Sequence, residues 1–436
     1  MSVSTDKRLK RVTVDLVDCE GDVAKRDPKC ADQSLAESFD WSQLPYEIVL
    51  NVFLYLIDNS DKYHAALTCK SWLRPLSEPS LWQSGNFVFN SQSDQKAIKF
   101  VKKIGKYLRH IQADCPVQKD GASSIDELYE FLAHLNNARN KQLLTFKLTN
   151  FVHVLPRVAG QLRRYPSDVV KLLRKLLGAQ LQLRVLELSN CQVAFYKAVK
   201  LLTAASQNCA NTLHTLAIDR IGSYSNDDTD IPSTLVPVIC CFRNLADLEL
   251  SYEYLCDDLL LKLATKTTSL KVLTIRAEND SMEEEEEVGT TAPAWKKLTK
   301  ACPELRTVVF IKQTYECYFD QTTTTVLQPS MPLYEVHWNA GRLIAIESIE
   351  LFFQHVARHF QKSMHNLELQ TGTGLDMECF EVLFKSLQPC KNLDTLSLGL
   401  TCETSDDVEK YNLTIRDVMA LYPVSCDVTL NGEKVN

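Results

Sequence analysis

Leu183-Arg184-Val185-Leu186-Glu187-Leu188-Ser189-Asn190-Cys191, LRVLELSNC, decides how this chain of 436 residues folds. From Val185 to Ser189, Leu186 and Leu188 alternate with other side chains. That period of two belongs to a strand buried on one face. Leu183 adds an apolar anchor before the strand, and the Asn190-Cys191 pair closes the turn after it. A few residues on, FYKAVKLLTAA from Phe195 changes to helical spacing. The local reading is one short strand, a turn and one amphipathic helix.

The same unit recurs on both sides. An apolar-x-x-apolar-x-apolar pattern starts at Leu108, Leu143, Leu183, Leu213, Leu245, Leu270, Leu305, Leu333, Met364 and Leu393, at intervals of 25 to 40 residues. Between these starts lie amphipathic stretches such as IDELYEFLAHL, VVKLLRKLL, DDLLLKLATK and MECFEVLFKSL. A strand alternating with a helix at this period is the signature of leucine-rich repeats, although most intervals exceed the usual length. A doubly wound sheet offers the same alternation, but ten such units would make a very large one. The expected fold class is therefore α/β, an irregular leucine-rich-repeat solenoid, or horseshoe, over residues 87–424. Side chains flanking the buried pair of each strand should face outward on the concave sheet. Among them are Glu187, Asp219, Asp247, Glu249, Arg276, Thr307, Val309, Ile311, Glu335, His337 and Glu368. Acids outnumber bases on this face. Two readings follow: a surface that attracts a basic partner segment, or charges that only keep an open sheet soluble.

Before residue 87 the texture differs. LPYEIVLNVFLYL over 44–56 puts Pro45 in the first helical turn, where its missing N–H is not needed, and Glu47 near the positive helix end. Ile48, Val52, Phe53 and Leu56 fall on one face. Asp58 to Asp61 break this helix. A second carries Tyr63, Ala66 and Leu67, and a third carries Trp72, Leu73 and Leu76 before Pro79. Three short helices hold too little apolar material to stand alone and should lean on a partner or a following domain.

Leu44-Pro45-x-Glu47-Ile48, Val52-Phe53-x-x-Leu56, Leu67-x-Cys69-Lys70-x-Trp72 and Leu81-Trp82, in this order, resemble an F-box, here set at 39–86. An F-box followed by leucine-rich repeats is similar to the substrate-receptor subunits of cullin-RING ubiquitin ligases. The resemblance implies docking on a Skp-type adaptor, and through it on cullin and RING subunits. The residues it singles out are Leu44, Pro45, Glu47, Ile48, Val52, Phe53, Leu56 and Trp72. Leu44, Pro45 and Ile48 are expected at the surface. Val52, Phe53, Leu56 and Trp72 divide between surface and core in a way the pattern leaves open. The repeats would then bind an unidentified protein substrate, and catalysis would belong to the partners.

Composition narrows the alternatives. Hydrophobic residues at 45% and charged residues at 24% are ordinary for a globular chain. A net charge of −7 argues against a broad basic surface for nucleic acid. The apolar run Leu235–Phe242 is interrupted by Pro237 and falls short of the ~18 residues of a membrane span. Residues 1–38 read as a polar tail without the apolar core of a secretory signal. Within them Lys7, Arg8, Lys10 and Arg11 suit a nuclear signal or simply a solvated tail. The 15 cysteines are scattered, with no C-x-x-C pair, as expected of a reducing compartment, cytoplasm or nucleus. The run Glu283–Glu287 marks an acidic inserted loop over 277–292, in which Ser281 is either an acid-directed phosphorylation site or unmodified. Residues 425–436 read as a C-terminal tail.

Signals for catalysis are weak. His355 and His359 have the spacing of a metal pair but no evident third ligand. Gly372-Thr373-Gly374 lacks the rest of a nucleotide fingerprint. Cys69 beside Lys70 fits the packing pattern of the F-box better than a nucleophile. No catalytic residue, metal, cofactor, nucleic acid or membrane partner is expected. The competing functions are a repeat scaffold acting outside any ligase and, further off, a Cys/His hydrolase.

Overall fold

In a computed structural model the deciding stretch is a strand: within Val185–Ser189, Leu186 and Leu188 are fully buried while Glu187 is half-exposed. The structure describes residues 41–56, 59–89, 96–116, 122–151, 166–191, 193–223, 231–279, 289–313, 326–340, 346–371, 375, 377–400, 405–422, 426–431 and 433–435. The expected N-terminal tail, Ser281, Glu283–Glu287 and Gly372–Gly374 lie outside them. The chain divides into two compact units, 1–181 and 182–436.

In the first unit, helices α1 (Tyr46–Tyr55), α2 (Asn59–Ala66) and α3 (Lys70–Leu73) enclose Val49, Phe53, Ala66 and Leu81. Leu44, Leu50, Ala65, Trp72, Leu76 and Trp82 pack around this small core. Pro45 is the N-cap of α1, one place earlier than expected, and its carbonyl accepts from the N–H groups of Ile48 and Val49. The second helix starts at Asn59, with Asp61 in its first turn rather than before it.

Strand β1 (Ser84–Val88) follows almost at once and pairs in parallel with β2 (His110–Asp114), which pairs in parallel with β3 (Thr145–Thr149). Helices α4 (Lys96–Ile104), α5 (Ala122–Asn137) and α6 (Pro166–Gly178) complete these repeats. β1 was not anticipated, because SGNFV lacks the leading leucine; Gly85 and Phe87 are its buried pair. Trp82 meets Phe100 of α4 edge-on at 5.7 Å, and Phe87 lies 5.8 Å from Phe100 and 4.6 Å from Phe131. The three-helix module and the first repeat therefore share an aromatic core. That is the support a module this small requires.

The second unit is a ladder of β4 (Val185–Ser189), β6 (Thr215–Ile218), β8 (Asp247–Ser251), β9 (Val272–Asn279), β10 (Arg306–Gln313), β11 (Leu333–Asn339), β12 (Asn366–Thr371), β13 (Thr395–Leu400) and β14 (Asp427–Leu430). Every neighbouring pair is parallel. A small side pair joins β5 (Val193–Ala194) to β7 (Gly222–Ser223). Helices α7 (Phe195–Cys209), α8 (Ile231–Ile239), α9 (Asp257–Lys266), α10 (Ala292–Ala301), α11 (Ile346–Phe360), α12 (Met377–Leu387) and α13 (Ser405–Leu421) lie between successive strands, with none among the described residues between β10 and β11. Each strand buries one row of aliphatic side chains against the helices, as in the pair Leu273 and Ile275. This is a leucine-rich-repeat solenoid.

Strand exits need a reversal. Asn150, Asn190 and Asn431 take it with φ of 58°, 53° and 50°, a left-handed conformation that Asn tolerates better than most residues. Arg220, at φ 47°, takes the same turn at greater cost. The turns into the strands are held by side chains that satisfy backbone carbonyls. Buried Asn140 donates to Gly105 and Leu108, Thr212 donates to Leu183, and Ser269 donates to Leu245.

Three expectations are corrected. Thr307, Val309 and Ile311 face inward and are buried, so Val308, Phe310 and Lys312 take the outward row. The run Val308-Val309-Phe310-Ile311 satisfies either phase of a period-two pattern, and a one-residue slip exchanges the faces. Pairing with β9, Ile275 opposite Val309 and Arg276 opposite Phe310, selects the observed phase. Thr307 takes a core position, and its buried hydroxyl has no partner among the described residues. The expected C-terminal tail contains β14, followed by β15 (Glu433–Lys434), which returns antiparallel to it. The expected acidic insert is also shorter at both ends, since β9 runs to Asn279 and α10 starts at Ala292.

Candidate functional site

Helix α1 sorts the F-box residues. Val49 and Phe53 point into the core, while Pro45, Glu47 and Ile48 stay exposed. Leu44, Val52 and Leu56 are half-buried, and Leu44 packs on the core rather than standing free. Phe53 is fully buried and meets Trp72 edge-on at 6.0 Å. The Trp72 indole N–H donates to the Trp41 carbonyl at 2.9 Å. Phe53 and Trp72 thus support the surface from beneath. The exposed apolar set is wider than the motif suggested: Ile48, Leu54, Tyr55, Leu67 and Leu73 are between 47% and 86% accessible, and Trp41 and Tyr63 of the same module are exposed as well. Leu54 and Tyr55 were missed because they leave the helical stripe that forms the core. Their very departure from that stripe was the available signal. In the same module, Arg74 lies over the Tyr46 ring at 5.2 Å and the Tyr46 hydroxyl donates to Glu78 at 3.2 Å.

The outward face of the second unit carries a line of polar contacts across successive strands. Asp219, buried just past β6, accepts from Ser251 of β8 at 3.0 Å. Burial pushes its carboxyl pKa up, against the pull of Ser251, Arg276 and Arg220. Arg276 of β9 bonds Glu249 of β8 at 2.5 Å and lies 3.9 Å from Asp219. Its guanidinium covers the Phe310 ring of β10 at 4.2 Å. The same ring stacks on His337 of β11, with centroids 4.3 Å apart and planes 8° from parallel. His337 reaches Glu335 through one ring nitrogen and Glu368 of β12 through the other, both at 2.6 Å.

Of the residues expected on this face, Arg276, Glu249, Asp219, Glu335, His337 and Glu368 therefore form one connected chain. Asp247 instead accepts from Thr215 at 3.1 Å, and Glu187 stays apart on β4. Phe310, the middle of the chain, was hidden by the misphased strand. A parallel line runs at the strand starts, where Arg306 covers Tyr334, Tyr334 stacks on His365, and His365 bonds Asp394 at 2.8 Å. At the strand ends, Glu278 pairs with both Arg220 and Lys312.

The other candidates make local contacts. His355 bonds the Leu327 carbonyl at 2.8 Å, and its ring lies 4.8 Å from that of His359. Among the described residues no group of three His, Cys, Asp or Glu side chains is placed to hold a metal, and no helix is long and apolar enough to cross a membrane. Cys69 caps α3, and a hydrogen bond with Ser71 lowers its thiol pKa. Burial raises the thiols of Cys240, Cys390 and Cys426 to about 11.

The chain is similar to several known proteins. The F-box-like family model matches residues 41–87. F-box/LRR-repeat protein 21 of Mus musculus is 23% identical over 388 residues, covering 85% of this chain and 79% of the relative. The Bos taurus protein of that name is 22% identical over 379 residues, with the same coverage of each. Among solved structures, the leucine-rich repeat-containing protein LegL7 from Legionella pneumophila is similar, with 13% identity and a TM-score of 0.34, over 81% of this chain and 93% of that one. The chain therefore combines an F-box-like module at 41–87 with a parallel ladder of leucine-rich repeats that follows it in sequence.

Proposed function

We propose that the chain is the substrate-recognition subunit of an SCF-type (Skp-cullin-F-box) ubiquitin ligase. The observation that carries this reading is the exposed apolar set Ile48, Leu54, Tyr55, Leu67 and Leu73 on a module with a separate small core. Large apolar side chains grouped on a soluble surface mark an interface. A Skp-type adaptor is the partner that an F-box implies, with cullin and RING subunits beyond it. The repeats hold the substrate, and the subunit acts without catalysis by raising the local concentration of its target near the transfer machinery. Acids exceed bases on the outward face, so a basic segment of the substrate is the complementary ligand. A reducing compartment, cytoplasm or nucleus, suits its free cysteines.

Co-purification of the full chain with a Skp-type adaptor tests the reading. Wild type should retain the adaptor, and an Ile48→Asp/Leu54→Asp variant with an unchanged helical spectrum should bind at least ~10-fold more weakly, as loss of interface anchors does. Failure of the wild type to bind, or equal binding by the variant, would reject adaptor docking and leave a repeat scaffold that acts outside a ligase.

A further inference from the structure

Although the chain carries a net charge of −7, residues 95–113, QKAIKFVKKIGKYLRHIQA, contain six Lys and Arg and no acid. Helix α4 turns Ile98, Val101 and Ile104 inward. Its outer stripe, continued by the 3-10 turn Gly105–Tyr107, presents Lys99, Lys102, Lys103 and Lys106 at positions i, i+3, i+4 and i+7. Arg109 is exposed beyond the turn. A neighbouring loop brings two more cations to the same edge. Asn140 donates to the carbonyls of Gly105 and Leu108 at 2.7 Å, and the Gln142 amide donates to that of Lys106 at 2.5 Å. This places exposed Arg139 and Lys141, which flank Asn140, beside the stripe.

No described carboxylate forms an ion pair with any of these seven cations; Lys106 only covers the ring of Tyr107 at 4.6 Å. Helix α5 packs beside α4 and carries Asp126, Glu127 and Glu130, yet none of them closes a salt bridge to the stripe. Some exposed cations elsewhere do have a carboxylate partner, as in Lys171–Asp168, Lys262–Asp258 and Lys271–Glu304. The negative end of the α4 dipole accounts for Lys102 and Lys103 in the last turn, but not for Arg109, Arg139 or Lys141 outside the helix.

We propose that this lysine stripe and its two-residue extension form a docking surface for an acidic polypeptide segment. The chemistry favours carboxylates over the other polyanions. Between Leu73 and Leu181 no large apolar side chain of the described residues is exposed, so an anionic membrane would find no anchor to insert. No free aromatic face is offered on which nucleic-acid bases could stack, since Lys106 covers Tyr107. Five of the seven cations are lysines, compact point charges that suit carboxylates without demanding the bidentate geometry of phosphate recognition. The surface is separate from the apolar F-box set and is proposed independently of adaptor docking.

The test uses the full chain and a fluorescein-labelled peptide of ten glutamates, read by fluorescence anisotropy at low salt. A Lys102→Glu/Lys106→Glu/Lys141→Glu variant should bind at least ~10-fold more weakly than wild type, whereas Lys171→Glu/Arg174→Glu/Lys175→Glu on α6, with the same change in net charge, should bind as wild type does. Thermal melts of both variants check that each is folded. No binding by wild type, an equal loss in the α6 variant, or tighter binding of a 20-nucleotide RNA or of phosphatidylserine vesicles would overturn the proposal.

Discussion

His337 illustrates how one residue joins chemistry to architecture. Each of its ring nitrogens faces a carboxylate at 2.6 Å, and only the imidazolium has an N–H for both. Burial pulls the His337 pKa down, but the bonds to Glu335 and Glu368 outweigh it and the net direction is up. The bond to His337 holds the Glu335 carboxyl below its usual range. A raised histidine stabilises the fold fully below its ordinary value of 6.5 and loses that contribution as pH rises through the folded value. A depressed carboxylate contributes above its ordinary value of 4.5 and loses it as pH falls through the lowered one. The two contributions coexist between pH 4.5 and 6.5. The stability lost in His337→Gln, measured by urea unfolding, should therefore be larger at about pH 5.5 than at about pH 8.5. A loss independent of pH would show that His337 serves only as a stacking surface for Phe310. The sequence marked His337, Glu335 and Glu368 as outward residues, but strand register alone decided that they meet.

Among the elements, β1 and the helix α4 that packs on it decide whether the F-box can hold its position. Trp82 is the link: its indole N–H donates to the Leu76 carbonyl at 2.8 Å, inside the module, and its ring meets Phe100. Trp82→Ala should destabilise the first unit by roughly 3 kcal/mol, the usual cost of truncating a large aromatic in a packed site. In limited proteolysis, residues 41–83 should then be cleaved before the rest of the unit. Uniform resistance would mean that the module stands without the repeat. The helices of the F-box were legible because their apolar positions fall in a fixed order. Strand β1 was not, since Gly85 occupies the place of a leucine and a Cβ there would lie 2.5 Å from the Phe87 ring. Strand β10 was found but misphased, because four apolar residues in a row carry no alternation to read. Local pattern identified these elements, and pairing with neighbours oriented them.

For the molecule as a whole, the repeat period was legible and the final rung was not. Val428, Leu430 and Val435 are buried, and β15 covers the edge that β14 would otherwise expose. Their unremarkable spacing, in a stretch lacking a leading leucine, disguised them as a tail. Truncation after residue 424 should expose the edge of β13, lower the melting temperature and promote association, the usual fate of an unprotected edge strand. A truncated chain that melts as wild type does and remains monodisperse in light scattering would show that β14 and β15 contribute no protection.

Repeat ladders ordinarily let sequence drift one rung at a time, because each repeat touches only its neighbours. The line from Asp219 through Arg276, Phe310 and His337 to Glu368 suspends that freedom over part of the second unit. A new side chain at Phe310 would uncover Arg276 on one side and His337 on the other, so those strands have to vary as a set. Asp247 lies outside the line, and its contact is with Thr215 of the adjoining strand. The outward face thus combines a block inherited whole with positions outside it.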